Sequence, residues 1–226
     1  MIILAVDTTT FSGSVALLED GQLLTEISLN PSATYSELLL PAMDFILKSN
    51  KLEVKDMDGF AAAAGPGSFT GIRIGLSTVK SFSFASGKPV APVSTLEALA
   101  FKLRHSQAHL FCPILDAKKG EVYAALFESV EGRLKVVVSQ GAYAPDRFLS
   151  LLPAHRIITF IGNGVDVYKD QIFRYFKDKA RFSQRSPFIA HEVGLIGQEI
   201  LKKKKGVSAE KLVPLYFRKS QAEERY

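Results

Sequence analysis

The chain has no tryptophan, one cysteine and only four histidines among its 226 residues. With Cys112 alone no intrachain disulfide can form, so the fold must rest on a buried core, and a reducing, cytoplasmic location is expected. No apolar run approaches the roughly 20 residues that span a bilayer, so no membrane association is expected. The opening run Met1 to Val6 has no basic residues before it and meets Asp7 directly after it, which reads as a first strand and not as a signal peptide. Charge of one sign is also scarce. The net formal charge is +5, and much of the excess lies in Lys202, Lys203, Lys204 and Lys205 before Gly206. That run is expected to be a solvated helix end whose cations complement the carbonyl pole, with a patch touching a nucleic acid as the alternative.

What is present is a repeated order of elements. The first half predicts strands from Ile2 to Val6, Ser14 to Leu18 and Leu23 to Leu29, with Asp20-Gly21 as a hairpin turn. A helix follows from Ser36 to Ser49, then a strand from Gly59 to Ala64, a helix from Thr70 to Ser86, a strand from Pro89 to Val93 and a helix to about Leu103. The second half repeats it. Strands are predicted from Phe111 to Leu115, Glu121 to Ser129 and Arg133 to Ser139, then a helix from Asp146 to Leu152. A strand from Ile157 to Ile161 and helices from Val165 to Phe176 and Ala190 to Lys205 complete the chain. The expected fold is therefore α/β, two βββαβα (RNase H-like) halves of the actin, hexokinase and Hsp70-like (ASKHA) plan. The expected division is 1–103 and 104–226, with the last helix free to pack back on the first half.

The most informative segment is Gly65-Pro66-Gly67-Ser68-Phe69-Thr70-Gly71-Ile72-Arg73-Ile74-Gly75. It fails the Walker spacing, because Thr70 stands where the second glycine belongs and no lysine follows. It fails the dinucleotide fingerprint too, since Thr70 again replaces the third glycine. What remains is a tight strand-to-helix turn followed by a helix with Gly71 and Gly75 on one face. Each interior glycine costs roughly 1 kcal/mol of helix propensity, so close approach by something must offset it. From spacing alone, packing within this chain and contact with a partner stand level. Leu38, Leu39, Leu40, Phe45, Ile46 and Leu47 put apolar groups on more than one face of the preceding helix, so some need cover from elsewhere.

These segments resemble the TsaB (YeaZ) family from end to end. Ile3 to Thr10, Tyr35-Ser36-Glu37-Leu38-Leu39-Leu40-Pro41, the Gly65–Gly75 segment, Val93 to Leu99, Asp116 to Tyr123, Gly162-Asn163-Gly164 and Pro214 to Arg218 carry the match. Tyr35 departs from it, standing where the family usually has histidine.

The resemblance implies a non-catalytic subunit that supports a TsaD-type catalytic partner in threonylcarbamoyl transfer to adenosine 37 of ANN-decoding tRNAs. A TsaE-type ATPase is implied as a further component, with a homodimer in isolation and tRNA reached through the complex. It also implies a partner interface on Leu38, Leu39, Gly71, Ile72, Gly75, Leu76, Val79 and Phe82, where a bulky residue at Gly75 would break the complex and spare the fold. The metal-binding H-x-x-x-H of TsaD falls here on Thr95 and Leu99, so no metal and no catalytic residue is expected. His105 and His109 are one turn apart if helical, but without a third ligand they read as a solvated helix end. Loops after the first strand of each half, Asp7, Thr8, Thr9 and Thr10, then Asp116 and Gly120, with Gly162 and Gly164, are candidate phosphate contacts for ATP. Structural turns inherited with the fold are the alternative. The competing function is a small-molecule kinase or ATPase with Asp7 as its cleft carboxylate.

Overall fold

A computed structural model describes residues 1–29, 34–106 and 108–218. The chain divides into two compact units, one formed by Met1–Ala98 with Phe188–Tyr216 and the other by Leu99–Pro187 with Phe217–Tyr226. This differs from a division after residue 103. The segment 188–216 belongs to the first unit because its helix lays its apolar stripe on that unit's sheet.

In the first unit, β1 (Ile2–Asp7), β2 (Gly13–Glu19) and β3 (Gln22–Leu29) form an antiparallel meander. The turn between β2 and β3 holds Asp20 and Gly21 at φ of 49° and 83°, both in the left-handed region that a two-residue hairpin of this kind needs. α1 (Tyr35–Ser49) leads to β4 (Gly59–Gly65), α2 (Phe69–Ser86) to β5 (Val90–Ser94), and α3 (Thr95–Phe101) follows directly. The sheet order is β3-β2-β1-β4-β5, with β4 and β5 parallel to β1. Strand alternation sorts the side chains by face. Leu4, Val6, Val15, Leu17, Phe60 and Ala62 join Leu39, Met43, Ile46, Ile72, Leu76 and Val79 of α1 and α2 in one core. Ala5, Leu18, Ala61 and Ala91 point the other way and meet α6 (Ala190–Lys202), where Gly194 and Gly197 let the helix backbone come down onto them.

The second unit repeats the plan. β6 (Leu110–Lys118), β7 (Glu121–Val130) and β8 (Arg133–Tyr143) form its meander. α4 (Pro145–Ser150), β9 (Ile158–Ile161), α5 (Gly164–Phe176) and β10 (Ala180–Phe182) follow. The sheet order β10-β9-β6-β7-β8 is the first unit's order strand for strand. Its core gathers Ile114, Val122, Leu126, Phe148, Phe160 and Phe176 around the buried Cys112, whose thiol pKa burial pushes well up.

Candidate functional site

The Gly65–Gly75 segment is built around the loop that leaves β1. Gly65 ends β4 at φ 118°, and Ser68 caps α2 by accepting the Gly71 N–H at 3.2 Å. The Ser68 N–H reaches the Thr9 carbonyl at 2.6 Å, and Thr8 Oγ1 donates to the Gly71 carbonyl at 2.7 Å. A Cβ on Gly67 or Gly71 would collide with the backbone oxygen of Thr9 or Thr8, and one on Gly75 with Thr8 Oγ1. The glycines are therefore explained inside the chain: they admit the Thr8–Thr9 backbone to the helix surface.

That placement gives most of the residues expected at a partner interface a role inside the chain. Leu39, Gly71, Ile72, Gly75, Leu76 and Val79 are buried in the first unit, and Leu38 and Phe82 are half-buried against its core. A bulky residue at Gly75 would disturb Thr8 before it reached any partner. The exposed apolar residues of the same two helices are others: Leu40 at 53%, Phe45 at 61% and Phe84 at 77% exposure. Leu40 and Phe45 are two of the six apolar residues of α1 expected on more than one face, whereas the interface expected there was Leu38 and Leu39. Nothing in the α2 pattern singled out Phe84.

The candidate nucleotide residues of the first unit form one bonded set. Asp7, fully buried at the end of β1, accepts the Thr9 N–H at 2.8 Å and the Thr9 hydroxyl at 2.6 Å, both on Oδ1. Thr95 Oγ1 donates to Thr9 Oγ1 at 3.1 Å. Asp7 Oδ2 is buried with no hydrogen-bond partner among the described residues. Burial pushes this carboxyl up to about 6, against the opposing pull of the two Thr9 bonds. Beyond it the loop is tied to itself: the Ser12 N–H goes to Thr10 Oγ1, the Gly13 N–H goes to Tyr35 Oη at 2.8 Å, and Tyr35 Oη donates to the Thr10 carbonyl. Amides that could cradle a phosphate at Thr9, Ser12 and Gly13 thus serve internal acceptors.

Tyr35 holds that loop in a way an imidazole could not copy, since one hydroxyl both accepts and donates. The ring also lies where a Cβ of Gly13 would be, so the two positions are matched. Its own pKa is pushed up to about 12 by burial, which keeps the donor proton in place. Tyr35→Phe strands a partly buried N–H and a carbonyl, and should lower stability by about 1–3 kcal/mol. A urea midpoint equal to that of the parent would show that the clamp contributes nothing.

The second unit carries a parallel arrangement. Asp116 Oδ1 accepts the N–H two residues on, from Lys118 at 2.9 Å, as Asp7 does from Thr9. Here the carboxylate is also paired, with Lys118 Nζ 2.7 Å from Oδ2. The Asp116 N–H donates to Asn163 Oδ1 at 3.1 Å. Gly162, at φ 110°, and Gly164 sit against the Ile114 carbonyl, and Gly120 tops the β6–β7 turn with open space around it. Asp116, Gly162 and Gly164 therefore meet at the end of β6, with Gly120 set apart at the turn.

Several comparisons bear on this geometry. A family model described as TsaD, tRNA N6-adenosine threonylcarbamoyltransferase, matches residues 25–226. The tRNA threonylcarbamoyladenosine biosynthesis protein TsaB of Bacillus subtilis is 30% identical over 230 residues, covering all of this chain and 98% of that protein. The chain belongs to the TsaB (YeaZ) family. YeaZ from Pseudomonas aeruginosa superposes with a TM-score of 0.82 at 28% identity, over 95% of this chain and 99% of that one. A ROK hexokinase from Thermus thermophilus, 11% identical with a TM-score of 0.54 over 89% of this chain and all of that one, shares the fold alone. The actin/hexokinase-like plan expected from the duplicated element order is the one this TsaB-family chain has.

The remaining candidates are readily placed. Thr95 is fully buried and bonded to Thr9, and Leu99 is buried in α3, so neither position offers a metal ligand. His105 and His109 follow α3 in turns, with Gln107 between them outside the described residues, and share a recess with Arg104, Glu128 and Arg156. Among the described residues no group of three or more His, Cys, Asp or Glu side chains converges to hold a metal. No described helix is long and apolar enough to cross a membrane.

Proposed function

We propose that this TsaB-family chain is a non-catalytic subunit that binds and supports a TsaD-type catalytic partner in threonylcarbamoyl transfer to adenosine 37 of ANN-decoding tRNAs. The observation that carries this reading is the set of exposed apolar side chains on α1 and α2. Their inner faces already fill the first unit's core, yet Leu40, Phe45 and Phe84 remain largely in water. Exposed aromatic and leucine side chains on two helices of one unit are what a protein-binding surface requires. The same surface would close a homodimer when the partner is absent, because a two-fold interface can use one patch on both copies. A TsaE-type ATPase would join as a further component.

A subunit without chemistry of its own agrees with the site. Asp7 is enclosed, and the neighbouring hydroxyls of Thr9 and Thr95 are committed to it and to one another. The test is co-purification with the TsaD-type protein of the same organism, joined to a tRNA-modification assay with and without this chain. Phe45→Asp combined with Phe84→Asp should weaken association by about 100-fold or more, the usual scale for losing two central aromatic anchors. Its melting curve should stay near the parent's, since both side chains are exposed. Parent-like association in that variant would move the interface elsewhere, and modification that proceeds equally well without the chain would end the subunit reading.

A further inference from the structure

The lysine run at the end of α6 is more ordered than a solvated helix end needs to be. α6 closes in a Schellman arrangement, with the Lys205 N–H on the Ile200 carbonyl at 3.0 Å and the Lys204 N–H on the Leu201 carbonyl at 2.9 Å. Lys204 occupies the left-handed position of that motif, at φ 55°, where glycine is the usual residue and a Cβ is disfavoured. Gly206 stands two residues further on and does not take that place. Immediately after it, Val207 exchanges two backbone hydrogen bonds of 2.8 Å with Val90 of β5. The run is thus clamped between a helix and a sheet edge and presents its ammonium groups from a fixed turn.

All four lysines are exposed. Lys203 lies 3.6 Å from Glu199, and Lys202 acts on the Asp20 carboxyl, which is already bonded to the chain's N-terminal amine. Among the described residues no carboxylate is within ion-pair distance of Lys204 or Lys205. Pro89 lies against Gly206, which brings the half-buried Lys88 beside the same turn. Complementing the helix carbonyls accounts for Lys202 and Lys203. It does not account for Lys204 and Lys205, which have no carboxylate within ion-pair distance among the described residues.

We infer that Lys202, Lys204 and Lys205 form a sequence-independent contact for the phosphodiester backbone of an RNA, used when the chain is in complex with its catalytic partner. The inference rests on the subunit reading above. Ammonium groups without a neighbouring aromatic can neutralise phosphates but cannot stack on or read bases. An anionic membrane is the poorer match, since polybasic attachment needs a second, apolar anchor. The flanking residues supply none: Leu201 and Ala209 are buried, Val207 is half-buried, and Gly206 and Ser208 complete the stretch.

The experiment compares the parent with K202Q/K204Q/K205Q, each in complex with the TsaD-type subunit. Binding of a transcribed tRNA is followed by fluorescence anisotropy across a salt series, with phosphatidylserine vesicles as a parallel probe. Size-exclusion chromatography on the same samples reports complex formation. Losing three phosphate contacts should make the plot of log affinity against log salt shallower by about 2–3 and weaken binding on the order of tenfold at low salt. Unchanged slope and affinity in an intact complex overturn the lysine contact and leave the subunit reading standing. Parent complex that binds vesicles but not tRNA overturns it in favour of a membrane. Should the parent form no complex, the subunit reading falls, and the same slope comparison on the isolated chains still decides the lysine contact.

Discussion

Gly71→Ala is expected to lower the stability of the first unit by about 3 kcal/mol or more, at the upper end of what overpacking a tight contact costs. The added methyl would meet the Thr8 carbonyl oxygen, a backbone atom one residue past the paired end of β1, in the residue whose Oγ1 donates to the Gly71 carbonyl. Neither helix nor strand can retreat alone, because Ser68 N–H to Thr9 ties the same two segments together. Gly75→Ala should be milder, about 1–2 kcal/mol, since its methyl meets the Thr8 hydroxyl, which can rotate away by giving up one hydrogen bond. Urea denaturation of both variants checks the order. A Gly71→Ala midpoint equal to the parent's would mean that the loop yields freely and that the glycine has another purpose.

The second large effect concerns Asp7. Its carboxyl is pushed up from an ordinary 3.8 to about 6 in the fold, so the folded state favours the protonated form. The contribution is fully present below about pH 3.8 and is lost as pH rises through 6. At pH 8 the folded protein therefore holds a buried anion at a cost of roughly 3 kcal/mol, taking 1.36 kcal/mol per pKa unit. Asp7→Asn keeps an acceptor for Thr9 and removes the charge, while its amide inherits the unpartnered position of Oδ2. Allowing about 1 kcal/mol for that unpaired amide, the variant should be about 2 kcal/mol more stable than the parent at pH 8. A rise of about 4–8 °C in Tm corresponds to that for a chain of this size. By pH 4.5 most of the advantage should be gone. An advantage that does not change between the two pH values would place the Asp7 carboxyl near its ordinary pKa and remove burial as the controlling factor.

Much of this was legible in the residues because local patterns and the global fold agree. The short apolar runs in Ile2–Asp7 and Gly13–Glu19, the 3–4 spacing of α1 and the Asp20-Gly21 turn each specify one conformation, and the duplicated sheet order follows from their sequence. β10 was not legible: three residues, Ala180, Arg181 and Phe182, have no period to detect, and they form a strand only because β9 offers an edge. Gly71 and Gly75 were visible as a face for close approach, but spacing cannot name the approaching group, and Thr8 lies more than sixty residues away. Gly194 and Gly197 passed as ordinary helix residues for the same reason, since the small side chains they meet, Ala5, Ala61 and Ala91, are on three separate strands. The Tyr35 clamp joins a helix start to a loop, a pairing with no local signature. Asp7 was singled out by position, whereas its raised pKa depends on enclosure that only the folded chain supplies.

The return of α6 to the first unit also sets an order of events during synthesis. The second unit has its main body, Leu99–Pro187, in one continuous stretch, and can assemble its sheet once that stretch leaves the ribosome. The first unit emerges earlier but is finished last, because Ala5, Leu18, Ala61 and Ala91 pack under Gly194, Gly197 and the helix around them. Until then one face of its sheet stands open to solvent, and a nascent chain stalled anywhere before α6 carries that face uncovered. Early termination would thus damage the part of the molecule made first, and such truncated products are natural clients for chaperones that recognise exposed apolar strands.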